Sequence, residues 1–243
     1  MQESALQEMS ENEAGHWWFR ARRAIISQLI ARLIGLKRQV RLLEVGCGTG
    51  GNLSMLREFG QLEAIEPNDF ARSYASRLSG LRIESGGLPG DLPVPDNTYD
   101  IVGLFDVLEH VENDLDALLA VNRKLSADGH LVITVPAYQW LWSNHDQTHH
   151  HYRRYTIARL KRVIQQADLE IEQIGYFNTL LFPIAALQRL LVRMCRRPLA
   201  TDGNVPAWLN AVLFRVFATE RHLISRLPMP FGLSVFAVAR KRR

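Results

Sequence analysis

The chain has 243 residues, 47% hydrophobic and 22% charged, which excludes a disordered or fibrous protein and allows one large α/β domain. Lys and Arg number 29 against 25 Asp and Glu, and a net charge of +4 is too mild to argue by itself for nucleic acid. The charge is unevenly placed: Glu3, Glu8, Glu11 and Glu13 make the start acidic. Basic residues gather at Arg20, Arg22 and Arg23, within 153–162 and 189–197, and in Arg240-Lys241-Arg242-Arg243.

Cys47 and Cys195 are far apart, one of them in a glycine-rich loop, and read as reduced thiols. The polar, acidic start carries no apolar stretch that would serve as a secretory signal. The longest apolar run, 180–187, is broken by Pro183 and is too short to span a bilayer. A cytoplasmic protein is expected, with contact at the inner face of the membrane left open.

After His16-Trp17-Trp18-Phe19-Arg20, the apolar residues Ile25, Ile26, Leu29, Ile30, Leu33 and Ile34 predict a helix over 21–34. Strands are then predicted at 40–45, 62–65, 81–83, 100–105 and 130–135, with helices at 53–58, 70–78 and 115–125. This alternation points to a parallel sheet covered by helices on both faces. A helix over 157–167, a strand over 171–177 and a last strand over 233–239 complete the pattern. The intervening 178–232 is too long for an ordinary loop. It predicts two apolar and basic helices, 182–197 and 207–227, split by the turn Asp202-Gly203-Asn204-Val205-Pro206. The expected organisation is an N-terminal lid or helical segment (1–39), a cofactor-binding core (40–177), a helical insertion or cap (178–232), and a last strand with a basic tail (233–243).

The strongest motif is Leu42-Leu43-Glu44-Val45-Gly46-Cys47-Gly48-Thr49-Gly50-Gly51-Asn52-Leu53. A strand runs into alternating glycines and then a helix, so backbone N–H groups can approach a ligand closely at the carboxyl edge of the sheet. Gly46, Gly48 and Gly51 also satisfy the dinucleotide pattern G-x-G-x-x-G. Glu66, ending Leu62-Glu63-Ala64-Ile65-Glu66, stands where a carboxylate would accept both hydroxyls of a ribose. Glu66 suits a nicotinamide dinucleotide and S-adenosylmethionine alike. Glu44 favours the latter, because a carboxylate beside the loop attracts an ammonium and a sulfonium and offers nothing to a pyrophosphate.

Glu44-Val45-Gly46-Cys47-Gly48-Thr49-Gly50 resembles the first motif of class I S-adenosylmethionine-dependent methyltransferases, and Glu66 resembles their ribose-binding acid. Leu92-Pro93-Val94-Pro95-Asp96-Asn97-Thr98-Tyr99-Asp100 and Phe105-Asp106-Val107-Leu108-Glu109-His110-Val111 are similar to the runs that enter and leave the fourth strand of that fold. The resemblance covers about residues 40–177 and lies nearest the type 11/23 branch, bacterial enzymes of the small-molecule or lipid type. It implies a Rossmann-like, seven-stranded, mostly parallel sheet with an antiparallel last strand. It implies S-adenosyl-L-methionine as cofactor, held by Glu44, Gly46, Cys47, Gly48, Gly50, Asn52, Glu66, Pro67, Leu88, Pro89, Phe105 and Asp106. Many relatives carry an acid near position 88 for the adenine amino group. Leu88 replaces it, so backbone and apolar contacts are expected there. Some relatives also open with a His-Trp-Trp-Phe-Arg run, which makes Trp18 and Arg20 candidates for covering the cofactor and binding its carboxylate.

For the acceptor, the loop after the fifth strand brings together His145, Asp146, His149, His150, His151, Arg153, Arg154 and Tyr155. His110, His145, His151 and Tyr155 are the candidate catalytic groups, and a base among them favours methyl transfer to oxygen. Asp146, Arg153 and Arg154 are candidates for binding the acceptor, since a guanidinium fork matches an oxyanion. The histidines also offer metal ligands. Consecutive histidines rarely all face one ion, however, and no metal is expected. The insertion carries Leu187, Leu190, Leu191 and Met194 on one face, among Arg189, Arg193, Arg196 and Arg197, and Trp208, Leu209, Val212, Leu213, Val216 and Phe217 form a second stripe. It reads as a cap over the site or as a surface for anionic membrane, which introduces a lipid-linked acceptor beside a small-molecule one. The alternatives are an NAD(P)-dependent oxidoreductase, which lacks a Tyr-x-x-x-Lys pair here, and a non-catalytic S-adenosylmethionine-binding protein. With no Asn/Asp-Pro-Pro-Tyr-type run after the fourth strand, a nucleic-acid acceptor is not expected.

Overall fold

Leu42 and Leu43 are adjacent, and the pleat of a strand sends them to opposite faces of the sheet, where each joins a different core. The same split separates Ile101 from Val102 and Val132 from Leu131 and Ile133, so these strands are covered on both sides. This computed structural model describes residues 10, 12–35, 39–90, 92–195, 205–224 and 229–242. Glu3, Glu8, Glu11, Arg196, Arg197, Arg243 and the 202–204 part of the predicted turn lie outside the described residues.

Among the described residues the strands are β1 (Arg41–Val45), β2 (Gln61–Ile65), β3 (Ile83–Glu84), β4 (Tyr99–Phe105), β5 (Leu125–Pro136), β6 (Leu169–Phe177) and β7 (Ser234–Lys241). They form one sheet in the order β3-β2-β1-β4-β5-β7-β6, with β7 antiparallel to both of its neighbours and the other pairings parallel. The helices are α1 (Trp17–Ile34), α2 (Leu53–Arg57), α3 (Asp69–Ser79), α4 (Asp114–Lys124), α5 (Asn144–Thr148), α6 (Ile157–Gln166), α7 (Phe182–Cys195) and α8 (Ala207–Ala218). The order of the chain reverses between β1 and β4, and a crevice at such a switch point, outside the carboxyl ends of the strands, is where ligands of open α/β sheets bind.

Helix α1 is longer than its apolar period predicts, because His16 caps it by accepting the Trp18 N–H and draws both tryptophans into its first turn. Its Ile26 and Ile30 join the core under β1 and β2, while Ala21, Ile25 and Leu29 meet Phe177, Phe217 and Phe236 in a third core shared with α8, β6 and β7. The 178–232 segment is anchored by Glu220, a buried carboxylate that accepts the N–H groups of Asn178 at 2.6 Å and Leu180 at 2.8 Å. The second helix there ends at Ala218 and passes into a 3-10 turn, Thr219–His222, so it is shorter than the predicted 207–227.

Candidate active site

The loop after β1 needs glycine where a side chain would collide. Gly46 has φ +76°, and a Cβ there would lie 2.8 Å from Val107 Cγ2. Gly50 has φ +89° and would approach the Cβ of Ala75 to 3.0 Å. Gly46 and Cys47 donate their N–H groups to Ile65 O, Gly50 donates to Cys47 O, and Gly48 donates to Glu66 Oε2 at 2.8 Å. Glu66 also takes the Asn68 N–H on Oε1 at 2.9 Å. It is buried at the end of β2, and burial raises its pKa against the pull of those two N–H groups. Each oxygen keeps a lone pair, and that suits the two hydroxyls of a ribose.

Glu44 lies at the floor. Asn52, the cap residue of α2, donates to its Oε1 at 2.8 Å, while Oε2 has no hydrogen-bond partner among the described residues. Burial pushes the Glu44 pKa up to about 8, with only Asn52 and the more distant Arg22 opposing it. A buried, half-satisfied carboxylate flanked by Glu66 and Glu13 is a place for a cation, and the residues present therefore fit a ligand with an ammonium and a sulfonium. Cys47 is buried, and that burial, with Glu44 nearby, raises its thiol pKa far beyond reactivity.

The far wall is the end of β4. Asp106 sits at φ +58°, its N–H bonded to Thr134 O. The Asp106 carboxylate meets Arg22 at 2.9 Å and Thr134 Oγ1 at 3.1 Å, and Arg22 also donates to Thr134 Oγ1. The Arg22 guanidinium lies 5.3 Å from the Trp18 ring. Next along the chain a 3-10 turn, Leu108–His110, delivers Glu109 and His110. Glu109 O accepts the Tyr152 N–H at 2.7 Å, tying this turn to the histidine-rich loop.

In that loop Asp146 is fully buried and accepts from His151 Nδ1 at 2.9 Å and from Arg154 Nε and Nη2 at 2.7 and 2.9 Å. Burial works the other way, but the hydrogen bonds from His151 and Arg154 hold the Asp146 carboxyl well below the usual range. The His110 and His151 rings meet edge to face at 4.6 Å between centroids. Burial, then His151 and His149, lower the His110 pKa to about 3, and burial with His145 lowers that of His149 to about 4, so both are neutral at pH 7.

A methyltransferase-domain family model matches residues 18–174, well over half of the chain and including every element just described. The chain belongs to the class I S-adenosylmethionine-dependent methyltransferases. Its cofactor is accordingly S-adenosylmethionine. A Mycolicibacterium smegmatis protein described as a probable S-adenosylmethionine-dependent methyltransferase is 25% identical over 67% of this chain and 63% of its own. A mitochondrial ubiquinone biosynthesis O-methyltransferase of Schizosaccharomyces pombe is 33% identical over 39% of this chain and 37% of its own. The chain thus spans about half the length of the curated relatives it matches. Among solved structures, an Archaeoglobus fulgidus SAM-dependent methyltransferase superposes with a TM-score of 0.58 at 17% identity, covering 90% of this chain and 94% of that one. The [4+2]-cyclase SpnF superposes at 0.57 with 21% identity, covering 90% and 81%. One fold therefore serves more than one chemistry, and the reaction has to be argued from the site.

Several residues expected at the site are placed elsewhere. Arg20 stacks its guanidinium 4.4 Å over the Phe214 ring on α8, and Arg22, two residues on, reaches the crevice instead. Tyr155 is fully buried and donates to Asp114 Oδ2 at 3.0 Å. Burial and that carboxylate raise its pKa, making it a core residue rather than a base. Arg153 pairs with Asp114 at 3.1 Å, and Arg154 is spent on Asp146 and Ala137 O, so neither presents a free fork to an acceptor. Asp146 has no exposed surface and accepts from His151 Nδ1, so it presents no oxygen to an acceptor. Phe105 fills the space left by Gly103, where a Cβ would lie 2.5 Å from its ring, so its side chain belongs to the core. Leu88 packs half-buried on the main core, and Gly87 before it lies against Pro67, which brings this turn beside Glu66. The His145 ring lies tilted against that of His149 at 4.1 Å and stands 6.1 Å from His151, at the edge of the cluster.

Sequence reasoning missed Glu13. It accepts from Thr49 Oγ1 at 2.6 Å, and a Cβ on Gly51 would lie 2.5 Å from its carboxyl carbon. A glutamate in an acidic start gives no periodic signal, and the contact is visible only once α1 is docked.

Proposed function

We propose that the protein transfers a methyl group from S-adenosylmethionine to a hydroxyl of a small-molecule or lipid-linked acceptor. The observation that carries this reading is the Asp146–His151 pair beside His110 and Glu109, at the end of the strand that bears Asp106. When bound, the donor supplies an electrophilic methyl on a sulfonium sulfur. Glu44 and Glu66 hold and orient it through its cationic end and its ribose. Asp146 accepts the His151 Nδ1–H, fixing the tautomer and leaving Nε2 to take the hydroxyl proton as oxygen bonds to the methyl carbon and the carbon–sulfur electron pair stays on sulfur. Alignment of the oxygen in line with the carbon–sulfur bond contributes much of the rate.

The nicotinamide alternative loses support for a physical reason. A pyrophosphate needs loop N–H donors, and those of Gly46, Cys47, Gly48 and Gly50 are already bonded within the protein, with Glu13, Glu44 and Glu66 around them. The lipid-linked form of the acceptor rests on the exposed Ile184, Leu187, Leu190 and Leu191 of α7 and Trp208 and Val212 of α8, an apolar surface suited to a bilayer interface or acyl chain. No helix of the described residues is long and apolar enough to cross a membrane, so such contact would be peripheral, at the inner face in a cytoplasmic setting.

The test is transfer of labelled methyl to hydroxylated aromatic compounds and to lipid extract, with the product identified by NMR. A methoxy product whose formation requires His151 is expected. A methylamine or C-methyl product would overturn the assignment to oxygen, and wild-type turnover in the His151→Ala variant would remove the proposed base.

A further inference from the structure

Glu109 is 1% exposed, and its Oε2 has no hydrogen-bond partner among the described residues. A carboxylate oxygen left bare inside a protein is costly unless a cation or a proton donor faces it. Two imidazoles stand beside this carboxyl group: one ligand atom each from Glu109, His110 and His151 lie within 4.8 Å of one another. Ligands bound at about 2.1 Å to a common ion stand roughly 3–4 Å apart. Side-chain rotations that move each atom by under about 1 Å would therefore close the set.

From this arrangement we propose that Glu109, His110 and His151 bind one divalent transition-metal ion beside the methyl-donor crevice. The outer contacts are those such a site requires. Asp146 accepts from His151 Nδ1, fixing the ring and leaving Nε2 as its ligand atom, and a carboxylate behind a ligating histidine is the usual support. Asp146 is fixed in turn by Arg154 and by the Ser143 N–H at 2.8 Å. The Tyr152 N–H to Glu109 O bond holds the two chain segments together.

Two imidazoles and one carboxylate suit zinc, manganese or iron and are a poor set for calcium or magnesium, which prefer oxygen. Three protein ligands leave coordination positions open, and two of them, Glu109 and His110, follow closely on Asp106 at the end of β4. This deepens the proposed function and rests on it for the acceptor. A hydroxyl bound at an open position loses its proton to water at a lower pH than it would free, and the ion replaces His151 as the activating group. The set differs from the run of consecutive histidines that sequence offered. It takes one histidine of that run and two residues from the β4 turn.

The experiment is titration of chelator-stripped protein with Co2+, read by visible absorption and calorimetry, and repeated with Zn2+ and Mn2+. S-adenosylhomocysteine binding serves as the fold control. One equivalent of Co2+ should bind with ligand-field bands, and Glu109→Gln and His151→Gln should each weaken it at least about tenfold. Asp146→Asn should weaken it about 10–100-fold while S-adenosylhomocysteine binding is kept. His145→Asn and His149→Asn should leave it unchanged. Absence of stoichiometric binding in folded wild-type protein would overturn the site, as would binding lost in the His145 or His149 variants yet retained in Glu109→Gln. Metal binding without O-methyl transfer would sink the proposed acceptor chemistry alone, whereas O-methyl transfer by protein that binds no ion would sink the metal site alone.

Discussion

Lowering the pH from 7.5 to 6 should weaken binding of the methyl donor steeply, because the Glu44 carboxyl has to give up a proton to receive a cation. Its pKa in the unliganded protein is pushed up to about 8 by burial, with Asn52 as its near donor, Arg22 farther off, and Glu13 and Glu66 raising it further. At pH 7 the group is about nine-tenths protonated, and removing the proton costs about 1.4 kcal/mol, a factor of about ten. At pH 6 the factor is about one hundred. The window ends near pH 7.5 because the donor's own α-amino group loses its charge near pH 8. Calorimetry in buffers of different ionisation enthalpy counts the protons directly, and about 0.9 should be released per donor bound at pH 7. Glu44→Gln should remove both the slope and the release, and weaken binding by about 10–100-fold through loss of a charged hydrogen bond. The sign for folding is opposite. The folded carboxyl holds its proton more tightly than the unfolded one, whose pKa is near 4.5, so this contribution is full below pH 4.5 and is lost as pH rises towards 8. Glu44→Gln should therefore raise the unliganded Tm at pH 8, by about 2–4 °C for each kcal/mol recovered. Affinity flat from pH 6 to 7.5 without proton release, or a slope that survives in Glu44→Gln, would refute the reasoning.

Asp146→Asn should lower kcat at least about tenfold with the Kd for S-adenosylhomocysteine unchanged, since it acts through His151; equal loss of both would mean that it holds up the fold. Tyr155→Phe should cost about 1 kcal/mol in thermal unfolding and spare turnover, because its hydroxyl serves Asp114 and not the acceptor. Gly46→Ala should destabilise by about 1–2 kcal/mol for the left-handed backbone alone, and should abolish donor binding as the new Cβ displaces Val107; calorimetry and a melting curve read the two effects separately. The protein should sediment with anionic vesicles and lose that behaviour in Ile184→Glu/Leu187→Glu; failure of the wild type to sediment would remove the lipid-linked acceptor.

Much of the fold was legible because its signals are local. The apolar runs of β1, β2, β4 and β5 are short and bounded, and Gly46 and Gly50 mark a loop where a side chain would collide with Val107 and Ala75. Glu44 and Glu66 were legible for the same reason, sitting at fixed offsets from strand ends. The acceptor side was harder to read because its residues are sorted by tertiary burial. Arg154 and Tyr155 are polar neighbours in a loop, and only the packed structure shows the first clamping Asp146 and the second reaching Asp114. Arg20 and Arg22 look interchangeable in sequence, yet on α1 one turns to Phe214 and the other to Asp106. The short α5 was missed because a single turn of Asn144–Thr148 carries no apolar period. It is made by a capping box in which Ser143 and Asp146 exchange hydrogen bonds.

The most direct test of the donor site is calorimetric titration of wild-type protein and Glu66→Ala with S-adenosylmethionine, S-adenosylhomocysteine and NAD(H). The account predicts micromolar binding of the two adenosyl ligands, weakened on the order of tenfold or more in the variant by loss of the ribose contacts, and no NAD(H) binding. Binding of NAD(H) alone, or adenosyl-ligand affinity untouched by removal of the Glu66 carboxylate, would contradict it.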